Sequence, residues 1–142
     1  MSDNADLAYA DPAVDQRVAD VVPLPRGVWR EKFPRLCEYG LRPPRGHLPT
    51  PPRADQVATA IAFLRLLRPT KTGRVSSYRL KHAAENWGGK NGMSAYVSNG
   101  ALLMAALSLN LAVEEYRNCW PSSPNAKIGV SRRDLKRLTG WS

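Results

Sequence analysis

The sequence predicts a mainly α fold with one short β-hairpin, an α+β domain arranged like a winged helix-turn-helix behind an extended N-terminal arm. Three observations predict it. Apolar residues recur at helical spacing in successive segments from residue 54 to residue 110, and the period then shortens to two in a pair of short segments. Serines stand ahead of three of the helical segments, where unsatisfied amides call for a cap. A chain of 142 residues is of single-domain size, and 43% hydrophobic with 23% charged residues is a globular composition.

Taken in order, residues 1–20 read as an acidic, disordered arm. Asp3, Asp6, Asp11, Asp15 and Asp20 stand there against Arg17 alone. Residues 21–53 read as a basic, extended connector, because eight of the twelve prolines fall between Pro23 and Pro52 and deplete the backbone of donors. Val28, Trp29, Phe33, Leu36 and Tyr39 nevertheless give it apolar surface to pack against either the domain itself or a partner. The folded domain is then expected over residues 54–142. Its first helix, in "TPPRADQVATAIAFLRLLRP", buries Val57, Ile61, Leu64 and Leu67, with Thr50 as its cap, Pro51 and Pro52 in its first turn and Pro69 as its stop. "PTKTGRV" reads as a turn. Ser76 or Ser77 caps the second helix, "SYRLKHAAENW", which buries Leu80, Ala83, Ala84 and Trp87 and ends at Gly88 and Gly89.

Ser98 caps a third helix, with Val97 stapled to Leu102. Its sequence "NGALLMAALSLN" is apolar all round, which demands a buried, central position, and Asn110 suits a left-handed terminus. "LAVEEYR" and "AKIGV" alternate as strands across the turn-rich "NCWPSSPN". Ser131 caps a last helix, "RRDLKRLTG", with Asp134 placed to complete a capping box.

The net charge of +9 is concentrated in two runs. Arg65, Arg68, Lys71, Arg74, Arg79, Lys81 and Lys90 surround one acid, Glu85; Lys127, Arg132, Arg133, Lys136 and Arg137 surround Asp134. Brought onto one face, they would suit the phosphates of a nucleic acid, DNA first. The helix in the usual recognition position is the apolar third one, which offers nothing to base edges. The contacts are therefore expected on the second helix and the loop before it. Lys71, Thr72, Arg74 and open helix amides would hold a phosphate while Arg79, Lys81 and His82 face a groove, and Arg132, Arg133 and Lys136 would add to them. The bland reading is a half-buried helix with a solvated basic rim.

A second class of function is a protein-interaction module, docking on an acidic protein or nucleoprotein through exposed aromatics, with Trp29, Phe33 and Trp120 as anchors. A third is a small ribonuclease-like enzyme in which His82 and Glu85 act as an acid–base pair, although a lone histidine on a polar helix face is ordinarily a surface residue. No catalytic motif supports an enzyme. The spacing of Cys37, His47, His82 and Cys119 suits no metal, no phosphate-loop pattern is complete, and no cofactor is expected. The N-terminus lacks the features of a secretory signal and no apolar run reaches membrane-spanning length, so a cytoplasmic setting without membrane contact is expected.

The segments "SSYRLKH", "YVSNGALLMAAL" and "SPNAKIGVS", within residues 70 to 133, resemble small proteins carried by proteobacterial plasmids and other mobile elements. The resemblance implies a bacterial, cytoplasmic setting and no particular activity.

Overall fold

The computed structural model of the chain describes residues 32–117 and 122–140. In order they form α1 (Ala54–Leu64), β1 (Val75–Ser76), α2 (Ser77–Lys90), α3 (Asn99–Ser108), β2 (Val113–Glu115), β3 (Ala126–Ile128) and α4 (Arg132–Thr139). The strands make one antiparallel sheet of order β1-β3-β2, so the described residues form an α+β fold of four helices and a small sheet.

The apolar helix lies where its composition requires. Every residue of α3 from Asn99 to Leu107 is buried, and the helix packs against both α1 and α2. Ala101, Ala105 and Ala106 present no side chain longer than a methyl, which lets neighbouring backbones approach. The caps form as the serines predict: Ser76 Oγ accepts from Arg79 N at 3.0 Å, Ser98 Oγ from Ala101 N at 3.1 Å and Ser131 Oγ from Asp134 N at 3.1 Å. Asn110 takes the left-handed conformation expected of it (φ 62°).

Five expectations need correction. The first helix begins at Ala54, after an Arg53 N-cap that contributes no side-chain bond, while the Thr50 carbonyl accepts from Glu38 N instead. Thr50 and Pro51 each precede a proline, which disfavours helical dihedrals for both and so disfavours a helix capped by Thr50 with both prolines in its first turn. The same helix ends at Leu64 and not at Pro69, which forms a β-bridge with Val130.

"PTKTGRV" is not only a turn. Val75 and Ser76 pair with Ile128 and Lys127 as a third strand. α2 runs through Gly88 and Gly89 to Lys90, and Gly92 (φ 70°) takes the left-handed position. Asp134 does not close a capping box, because Ser131 N already donates to the Arg68 carbonyl at 2.8 Å.

The core also extends upstream of the first helix. Phe33, Leu36, Cys37 and Leu41, inside the segment read as a connector, are buried with the helices. Asn99 ties that segment down, its Nδ2 donating to the Tyr39 carbonyl (3.0 Å) and to Asn125 Oδ1 (2.8 Å). Gly100 N donates to the Glu38 carbonyl, and a Cβ at Gly100 would collide with the Cys37 carbonyl oxygen. No helix of the described residues is long and apolar enough to cross a membrane.

Candidate functional site

The two-residue strand β1 decides where the charge goes. Its pairing with β3, the Pro69–Val130 bridge and the Thr70 N to Gly129 carbonyl bond (2.8 Å) lay the loop before β1 along the start of α4. Two side-chain links lock it there. Arg132 Nε donates to the Arg74 carbonyl at 2.8 Å across 58 residues of chain. Asp134 accepts from both Arg68 N (2.9 Å) and Arg68 Nε (3.3 Å) and pairs with Arg137 at 3.0 Å.

The Asp134 side chain is 2% exposed. The Arg68 backbone N–H bond, aided by the Arg68 and Arg137 charges, holds its carboxyl below the usual range against the opposing effect of burial. The one acid within the second charge run is thus withdrawn from the surface. Lys71, Arg74, Arg132, Arg133 and Lys136 remain exposed on the adjoining loop and helix. Lys127 sits at the border of this face: its cross-strand neighbour is Glu114 and its ammonium lies over the Tyr116 ring at 5.6 Å.

The second helix divides differently from expectation. Its start is not an open phosphate cradle, since Arg79 N is held by Ser76 and the buried Ser77 accepts from Ala126 N at 3.1 Å. Arg79 is half-buried. Lys81 and His82 do not join the basic face. The Lys81 side chain is 14% exposed and reaches Glu85 Oε1 at 3.5 Å, and His82 Nδ1 meets the same oxygen at 3.0 Å. Glu85 Oε2 accepts from Val97 N at 3.0 Å, which fixes the carboxylate between α2 and the loop before α3.

Around this carboxylate stand two residues that the sequence reading did not single out. The Lys81 ammonium lies over the rings of Tyr78 (5.7 Å) and Tyr96 (5.8 Å), and both rings are largely exposed. His82 packs edge-on against Tyr78 with centroids 4.6 Å apart. An open groove of about 580 Å³ continues along His82, Glu85, Asn86, Gly89, Lys90 and Ala95. The available signal was the spacing of Tyr78 four residues before His82, on the helix face opposite Leu80, Ala83 and Ala84.

Of the expected partner anchors, Phe33 is 9% exposed and serves the core, so it is not an open docking residue. Trp29 and Trp120 lie outside the described residues. Among the described residues no group of three or more His, Cys, Asp or Glu is arranged to hold a metal. No protein family, curated protein or solved structure matches the chain.

Proposed function

We propose that the chain is a small nucleic-acid-binding protein, accessory or regulatory in role, that grips phosphates with Lys71, Arg74, Arg132, Arg133 and Lys136. The observation that carries this reading is the Arg132–Arg74 link, because it joins two charge runs that are far apart in sequence while Asp134 is buried beneath them. Exposed cations on adjoining elements, with the intervening acid neutralised internally, suit a polyanion. The order helix, strand, helix, helix, hairpin supports a winged helix-turn-helix-like variant. In it the buried α3 is excluded from a groove, and the loop before β1 and the start of α4 take over the contact.

Five phosphate contacts on duplex DNA give a slope of log affinity on log salt of about −4.5, hence a loss of about 500-fold between 50 and 200 mM salt. Replacing Arg133 and Lys136 by Gln removes two contacts and flattens the slope by about 1.8. Fluorescence anisotropy with a mixed-sequence duplex reads both quantities. Binding that does not change across that salt range, or a double variant with an unaltered slope, sinks the proposal.

A further inference from the structure

We infer that Tyr78 and Tyr96, held about Lys81, form a stacking site for an unpaired nucleobase, so that the preferred nucleic acid is single-stranded; this rests on the function proposed above. Large aromatic rings are exposed at this place for no reason the fold supplies. Tyr78 is 53% and Tyr96 is 65% exposed, whereas Phe63 is fully buried and Trp87 is packed against it. The Tyr78 ring and the Tyr96 backbone are nevertheless held in place. Tyr78 lies in the capped first turn of α2 with His82 against its ring. The Tyr96 backbone is clasped by Ser94, whose Oγ accepts from Tyr96 N at 3.2 Å and donates to the Tyr96 carbonyl at 2.7 Å. Lys81 holds its place because Glu85 balances its charge and is itself anchored by Val97 N.

Rings set in advance lose little freedom on binding, and a base has a π-face whatever its identity. The position fits the same ligand. Tyr78 follows Arg74 by four residues, no more than about 14 Å of chain, so the tyrosines, although not part of the basic face, lie within a short span of it. The groove lined by His82, Glu85, Asn86 and Lys90 continues beyond with imidazole, carboxylate, amide and ammonium groups for base edges. In a duplex the base faces are already covered by their neighbours, and only a strand with unpaired bases can use such a site.

The full chain would be titrated with oligothymidine, oligouridine, an abasic strand and a duplex of equal length. Tyr78→Ala and Tyr96→Ala should each weaken single-strand binding by about 5- to 150-fold, with the salt slope and duplex affinity unchanged. Tyr78→Phe and Tyr96→Phe should retain it. The abasic strand should bind no more tightly than either Ala variant binds oligothymidine, and the two base-bearing strands separate DNA from RNA as the source of the base. Thermal melting of each variant confirms an intact fold, which substitution of exposed rings should leave. Ala variants that bind single strands as tightly as the parent overturn the stacking site, as does a parent that prefers duplex; if Arg133→Gln with Lys136→Gln still flattens the slope, phosphate binding stands without it. Absence of salt-sensitive binding to every probe overturns both.

Discussion

Gly88 and Gly89 are neighbours on one helix, and alanine should act on them with opposite sign. In a helix interior, glycine to alanine ordinarily stabilises by up to about 1 kcal/mol, because the backbone has less freedom to lose. At Gly89 the new methyl meets only Ala95, at 3.4 Å from its Cβ, which is ordinary contact, so that gain should be realised. At Gly88 the methyl would overlap the Ser94 carbonyl oxygen and lie 2.7 Å from Thr59 Cγ2. The oxygen belongs to backbone and cannot swing aside, so residues 94–97 have to move. That movement strains the bond from Ser94 N to Thr59 Oγ1 (3.1 Å), a loss of about 1 kcal/mol, on top of about 1–3 kcal/mol for overpacking. Set against the propensity gain, Gly88→Ala should destabilise by about 1–3 kcal/mol.

Urea unfolding followed by far-UV circular dichroism gives both values on the full chain. A Gly88→Ala variant as stable as Gly89→Ala would refute the reasoning, because it would mean that the 94–97 loop does not press on α2. The seat of Tyr96 beside Lys81 would go with it.

Asp134 predicts a pH dependence. Its carboxyl titrates lower in the folded chain than in the unfolded one, so its contribution is complete above the ordinary value of about 3.9 and is lost as pH falls through the lower folded value. Asp134→Asn should be less stable at neutral pH and should lack that acidic step, as urea midpoints across pH would show. Phe33→Ala should cost about 3 kcal/mol in the same assay, a value near that of any core phenylalanine and far from that of a surface anchor. Removing residues 1–53 deletes Phe33, Leu36, Cys37 and Leu41 together and should abolish cooperative unfolding. Asn99→Ala leaves the Tyr39 carbonyl and Asn125 Oδ1 without their donor and should cost about 1–3 kcal/mol, read as a lower Tm.

What could be read from the sequence was local. A serine cap acts on an amide three residues away, and the all-round apolarity of α3 leaves it only the centre, so Ser76, Ser98, Ser131 and the burial of α3 were legible without any tertiary information. The packing of residues 33–41 was not. Phe33, Leu36, Cys37 and Leu41 stand at helical spacing, but Pro34, Gly40, Pro43 and Pro44 interrupt the segment, and what recruits these side chains is a surface elsewhere: Asn99 and Gly100 at the start of α3. Their apolarity requires that the segment pack on something, but whether that is this domain or a partner depends on contacts made some sixty residues further along the chain.

The charged face shows the same limit at its sharpest. Both basic runs can be counted in the sequence, but their meeting depends on β1, whose two residues are too few to display an alternation. Val75 reads equally well as the last residue of a turn and as the partner of Ile128. Once that pair forms, Thr70 reaches Gly129, Arg68 reaches Ser131 and Asp134, and Arg74 reaches Arg132, each bond shortening the loop that the next must close. Lys81 carries the converse lesson. Its formal charge counts toward the first run, yet Glu85 lies one turn along the same helix and Val97 N holds that carboxylate in place, so the ammonium is committed to an aromatic seat and leaves the exposed cations to the loop before β1 and α4.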